Sequence, residues 1–194
     1  IGFHSDHEMG DIIQKVEDSG KKDHLKLIYV ETPANPTNAL IDLEMCRSVS
    51  DYFKTKSNSP VIAVDNTYMG PLWCQPLNLG ADLVIYSATK YIGGHSDLIA
   101  GAVLGNTELM TRIKVLRTFL GNMTGPWTGW LLMRSLETLK PRMELQASNA
   151  EKVADFLRNH PKVEKVFYLG HLKSGSRMHR SEERRVGKEC RSRW

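Results

Sequence analysis

A chain of 194 residues, 41% apolar and 25% charged, has an ordinary water-soluble composition with room for one large core or two small ones. No stretch is long and apolar enough to cross a bilayer, so a membrane partner is not expected. The three cysteines, Cys46, Cys74 and Cys190, have neither metal-like nor framework-like spacing and read as reduced thiols of a cytoplasmic protein.

The net charge of +4 invites a nucleic-acid reading, and the C-terminus undercuts it. Residues 180–194 hold six basic and three acidic residues, so without them the net charge falls to +1. They show no apolar period and no turn logic. They resemble a translated sequencing adapter, with a solvated basic tail as the alternative, and are expected to be non-native. No nucleic-acid partner is expected. The opening Ile1-Gly2-Phe3-His4 is neither a signal peptide nor a start methionine, so the chain is expected to lack its N-terminal portion.

Residues 8–18 place Met9, Ile12, Ile13 and Val16 at helical spacing, with Gly20 as a stop. Residues 26–30 form a short apolar strand, ended by Pro33 and Pro36. Residues 43–56 read as an amphipathic helix with Met45, Val49, Tyr52 and Phe53 inward. Residues 61–64 are the next strand, ending at Asp65-Asn66-Thr67. After a short loop, Leu83, Val84, Ile85 and Tyr86 read as a strand buried on both faces. A further strand covers 100–104. Beyond it the pattern turns helical, over 109–120 and 126–139, the second with Trp127, Trp130, Leu131, Met133 and Leu136 on or near an apolar side. Pro141 either kinks this helix or begins a new one. Residues 146–159 form an amphipathic helix burying Ala150, Val153, Ala154 and Leu157, and 163–168 alternate like a strand.

Strands alternating with helices predict an α/β fold, a mostly parallel sheet flanked by helices. Such sheets bind ligands at the carboxyl ends of their strands, where Asn35, Asp65, Ser87 and Lys90 fall. Ser87 and Thr89 are two apart, so their hydroxyls share a side if the chain stays extended. Gly93 and Gly94 allow a tight turn or a close backbone approach. Two hydroxyls, an amine and glycines at a strand end suit a small anionic ligand that needs a covalent handle. The alternatives are plain ones. Lys90 is a solvated lysine, Asp65 caps a turn with Asn66, Ser87 and Thr89 bond backbone, and Asn35 forms a turn before Pro36. Thr67 either touches a ligand or simply ends its strand. His95 and Asp97 lack a third ligand at workable spacing, so no metal is expected and they read as loop-structuring groups. Trp127 and Trp130 read as core or interface rather than a base-stacking platform.

SATKYIGGHSD (87–97), with ETPANPT (31–37), VDNTY (64–68), PLNLGAD (76–82) and RSLETLKPRM (134–143), resembles in order and spacing the pyridoxal-phosphate (PLP) enzymes of cysteine and methionine metabolism. That family includes cystathionine γ-synthase, cystathionine γ-lyase, methionine γ-lyase and homoserine sulfhydrylases, and the likeness covers roughly residues 25–170. Ala34 stands where serine is common, and Ser135 where glycine is usual.

The resemblance implies an aspartate-aminotransferase-like, type I fold. Residues 1–140 would belong to the large PLP-binding domain and 141–179 would begin a smaller α+β C-terminal domain. It implies PLP bound covalently by Lys90, Asp65 on the pyridine nitrogen, Ser87 and Thr89 on the phosphate, and Asn35 beside the ring oxygen. It implies a homo-oligomer, a dimer of dimers, acting on a sulfur-containing or acylated-homoserine-type amino acid. The expected reaction is lysis at the γ-carbon in transsulfuration. γ-Replacement by a synthase or sulfhydrylase is the alternative, and a noncatalytic oligomerising homologue a further one. The family draws other contacts from segments outside this sequence: an upstream glycine-rich helix start, a stacking tyrosine, a neighbouring subunit's Tyr and Arg, and a downstream Arg. By itself the polypeptide is therefore expected to hold PLP weakly and turn over little.

Overall fold

The computed structural model describes residues 1–172. Four strands form one sheet in the order β1 (Leu27–Glu31), β2 (Val61–Asp65), β3 (Leu83–Ser87) and β4 (Gly101–Gly105). The first three run parallel and β4 returns antiparallel beside β3. This is the expected mostly parallel α/β sheet. Helix α1 (Met9–Asp18) precedes β1, and α2 (Leu43–Tyr52) makes the crossover from β1 to β2. A one-turn α3 (Gly70–Trp73) follows β2, and the long helices α4 (Thr107–Leu120), α5 (Pro126–Glu137) and α6 (Leu139–Arg158) follow β4.

The register explains the core. Ile28 pairs with Ile62, Val30 with Val64, and Val64 with Val84, so period-2 alternation puts all five on one face. There Ile28, Val30, Ile62 and Val64 pack with Ile12 and Val16 of α1 and Leu43, Cys46 and Val49 of α2. The other face is more open. Leu27 and Tyr29 are each 52% exposed. On β3 only Val84 and Tyr86 are buried, while Leu83 and Ile85 are half-buried, so this strand is not covered equally on both sides as expected. Asp82 starts β3 by accepting from Ile62 N at 2.7 Å, and Arg47 of α2 holds the same carboxylate at 3.2 Å. A second cluster, Met69, Trp73, Cys74, Leu139 and Met143, joins α3 to the start of α6.

Several helical expectations are corrected. Helix α2 stops at Tyr52, four residues early, because Thr55 and Asn58 bond each other's backbones in the turn that feeds β2. Tyr52 points outward, its hydroxyl donating to Glu17 at 3.2 Å. Pro141 does not kink the preceding helix, which ends at Glu137; a new helix begins beside it, as the second alternative has it. Pro141 sits in the first turn of α6, where the missing N–H costs nothing. Ala150 and Val153 are exposed on α6, whereas Ala154 is buried and Leu157 half-buried, because little packs on that half of the helix. Trp127 and Trp130 stack on each other at 5.0 Å but lie outside the core, 69% and 50% exposed. Residues 163–168 form no strand, although their sequence alternates like one.

The expected boundary at 140/141 falls within the first turn of α6. Residues 173–179 and the tail 180–194 lie outside the described residues. No helix among the described residues is long and apolar enough to cross a membrane.

Ile62 is 0% exposed at the centre of the sheet. Ile62→Ala is expected to cost about 2–5 kcal/mol in a urea titration, and Leu27→Ala on the open face less than half of that.

Candidate active site

Parallel pairing brings the carboxyl ends of β2 and β3 to one edge of the sheet. Asp65, the last residue of β2, is level with Ile85, and Ser87 ends β3 two residues further on. Asn66 N donates to Ile85 O at 2.9 Å, and Ser87 N donates to the Thr67 hydroxyl at 2.7 Å. The Thr67 side chain thus completes the ladder where the β2 backbone has turned away, and its own hydroxyl proton remains available.

Asp65 is half-buried on the open face, level with Glu31 of β1. Its Oδ1 accepts from Thr67 N at 3.0 Å and its Oδ2 from the Tyr29 hydroxyl at 3.4 Å. A carboxylate has about four lone-pair sites, so with two donors bound it can still accept from a further N–H group. Burial raises the Tyr29 pKa, reinforced by the Asp65 charge and by that hydrogen bond.

Asn66 carries the turn that follows. It is fully buried, and its amide hydrogens are shared among Gly70 O at 3.1 Å, Cys74 O at 2.9 Å and the Tyr86 hydroxyl at 3.1 Å. Burial also raises the pKa of Tyr86, partly offset by the bond from Asn66.

Beyond Ser87 the chain turns at once. Lys90 N donates to Ser87 O at 3.0 Å, Gly93 N to Ala88 O at 2.7 Å and Gly94 N to Lys90 O at 2.7 Å. This compact loop delivers Lys90 to solvent at the same edge as Asp65, and its side chain has no hydrogen-bond or ion-pair partner among the described residues. Gly93 allows the closure, since a Cβ there would lie 3.0 Å from both Ala88 O and Leu98. His95 Nδ1 lies 2.7 Å from Gly93 O, which makes it a loop-structuring group. Among the described residues no three His, Cys, Asp or Glu could hold a metal ion.

Thr89 lies in the turn, past the end of β3, so strand alternation does not align it with Ser87. Its hydroxyl accepts from Ala100 N at 3.0 Å and donates to Ala100 O at 3.2 Å, tying the loop to the residue before β4. Ser87 Oγ makes no such bond. Asn35 sits on the exposed turn after β1, its backbone N donating to Glu31 at 3.4 Å. It shares the sheet edge but bonds none of Asp65, Ser87 or Lys90.

The structure therefore gathers Asp65, Ser87 and Lys90, with Thr67 and Tyr29 added, and leaves Asn35 and the Thr89 hydroxyl apart. Tyr29 had no sequence signal of its own. It reaches Asp65 only because the register of β1 on β2 puts both on one face. Thr67 was visible as the last residue of VDNT, and only its bond to Ser87 assigns it a role.

A carboxylate and an exposed amine at the carboxyl edge of a mostly parallel α/β sheet are groups that could hold an organic coenzyme by charge and by a covalent link. Residues 2–188 match the family described as Cys/Met metabolism PLP-dependent enzyme, and the chain belongs to it. It is 42% identical over 160 residues to L-methionine gamma-lyase of Fusobacterium nucleatum subsp. polymorphum, covering 81% of this chain and 39% of that protein. Cystathionine beta-lyase of Lactococcus lactis subsp. cremoris is 43% identical over 150 residues, 77% of this chain and 38% of that protein. Cystathionine gamma-lyase of Bacillus subtilis is 43% identical over 146 residues, 75% and 37%. The chain thus spans about two fifths of the length of these relatives. The family is enzymatic and its coenzyme is pyridoxal phosphate. The donor set fits that molecule: an acid for a ring nitrogen, an unpaired amine for an aldehyde, and an unspent Ser87 hydroxyl for a phosphate.

Tyr29, Tyr86 and Tyr91 all have pKa values raised above 10.0, chiefly by burial. The folded chain keeps these protons where the unfolded chain gives them up. Their contribution to stability is therefore complete below pH 10 and is lost as pH rises through the folded-state values. Urea midpoints from about pH 9 to about pH 11.5 should fall, in step with the tyrosinate absorbance of the unfolded fraction, and Tyr91→Phe should make the fall shallower.

Proposed function

We propose that the intact protein is a PLP-dependent carbon–sulfur lyase that cleaves sulfur amino acids at the γ-carbon, in the manner of a cystathionine or methionine γ-lyase. The observation that carries this reading is the meeting of Asp65 and the Lys90 loop at adjacent carboxyl ends of β2 and β3. The names of the similar proteins support the lyase class.

When bound, the coenzyme supplies an electron sink for the charge left at the substrate α-carbon. Lys90 Nζ would hold the coenzyme aldehyde and, when free, would serve as the base for the substrate α-proton. Asp65, positioned by hydrogen bonds from Thr67 N and the Tyr29 hydroxyl, would face the ring nitrogen and hold a proton there. Ser87 Oγ would donate to the phosphate. A contact from Thr89 would replace its bonds to Ala100. Asn35 would reach the ring oxygen from its turn.

The cystathionine beta-lyase at 43% identity favours β-cleavage as the second reading. The products decide between them. γ-Cleavage of cystathionine gives cysteine, 2-oxobutanoate and ammonia, whereas β-cleavage gives homocysteine, pyruvate and ammonia.

The same reading makes the intact protein a homo-oligomer. Phe119, Leu120, Trp127 and Met133 on α4 and α5 are each between 69% and 84% exposed, a concentration of apolar surface that a second copy would cover.

Full-length protein treated with borohydride should carry the coenzyme mass on the peptide containing Lys90. Lys90→Ala should lose both that label and at least about 10³ of kcat/KM. A label that survives Lys90→Ala would sink the assignment.

A further inference from the structure

Arg142, in the second turn of α6, lies outside every role assigned so far. Its guanidinium reaches back to the lysine loop. Nη1 donates to Tyr91 O at 2.9 Å, and Nη2 donates to Ile92 O at 3.4 Å and to Ser135 O at 2.9 Å. Nε donates to the Thr138 hydroxyl at 3.1 Å. One planar group thus joins the two residues after Lys90 to the junction of α5 and α6. Tyr91 and Ile92 are 51 and 50 residues away in sequence.

Gly94 shows how tightly this is built. Its φ is +74°, and any Cβ there would collide with the Arg142 guanidinium. The loop also closes on itself, through Gly93 N to Ala88 O and Gly94 N to Lys90 O, and is tied at Thr89 to Ala100. Side-chain bonds from outside the loop reach Tyr91 and Ile92 from Arg142. Next to it, Met143 lies where a Cβ on Gly70 would fall, so the same stretch of helix also braces the turn after Asp65.

The geometry points to Arg142 as a positioning residue that sets where the Lys90 amine stands relative to Asp65. The inference rests on the assignment of Lys90 as the coenzyme-bearing lysine. The rigid fork of a guanidinium matches several carbonyls at fixed angles. A lysine keeps the charge and loses the fork. A misplacement of an ångström or less is enough to slow proton transfer without removing the binding groups.

The test uses the full-length protein with Arg142→Lys and Arg142→Gln, and Lys90→Ala alongside. In the coenzyme-free protein, hydrogen exchange in the peptide spanning Gly93 and Gly94 should quicken at least about tenfold in both Arg142 variants, with the β2 peptide unchanged. In the loaded protein, borohydride should still label Lys90. The pH midpoint of the bound coenzyme's visible absorbance should move, and kcat should fall about tenfold to hundredfold with KM changed less than about threefold. Unchanged loop exchange and an unchanged pH midpoint in either folded variant would overturn the positioning role while leaving the lyase assignment intact. A label that persists in Lys90→Ala overturns both. Should Arg142→Gln fail to fold, Arg142→Lys alone decides.

Discussion

Asn66 N on Ile85 O and Ser87 N on the Thr67 hydroxyl hold the carboxyl end of β2 against that of β3. Parallel strands have evenly spaced, slanted bonds and no hairpin to fix their ends, so the ladder needs a side chain to finish it. Thr67 does so just where β2 turns away. The consequence is chemical. Asp65 is left at the mouth with two donors on its oxygens, and the turn after Ser87 sets Lys90 out at the same edge. Without this junction the acid and the amine would be two unrelated polar residues on separate strands.

The two faces of the sheet do different work. Ile28, Val30, Ile62 and Val64 anchor the fold against α1 and α2, and an ionised group among them would meet a desolvation cost with nothing to offset it. The opposite face is open enough for Asp65 to stay half-buried and hydrogen-bonded. Buried, Asn66 fixes the turn between Asp65 and α3 by bonding two carbonyls and a tyrosine hydroxyl. Stability and reactivity are thus separated by one residue of alternation along β2, with Val64 facing inward and Asp65 outward.

The helices after β4 continue this division. They carry the largest exposed apolar surface of the described residues, yet α6 also sends Arg142 back to the lysine loop. The same segment thus leaves apolar side chains exposed on α4 and α5 and holds the lysine loop through α6. The α5–α6 junction, through Ser135 and Thr138, is where the two meet.

Period-2 and period-3.6 patterns and the glycines and prolines that punctuate them determined the strands, α1, α2, α4 and the α/β class, because they report local preference directly. The five ordered motifs did the same for the family, and they singled out Lys90 and Asp65. Tertiary structure alone decided what depends on a distant partner. Tyr29 meets Asp65 through register, and Thr89 spends its hydroxyl on Ala100 because β4 folds back there. Arg142 finds carbonyls about fifty residues away. Trp127, Met133 and Val153 on the apolar sides of α5 and α6 are exposed while Leu139, Met143 and Ala154 are buried, and 163–168 alternated like a strand and is none. Amphipathic periodicity states only that a surface could be buried. Whether it is depends on a partner, and no local pattern encodes which residues the chain will bring there.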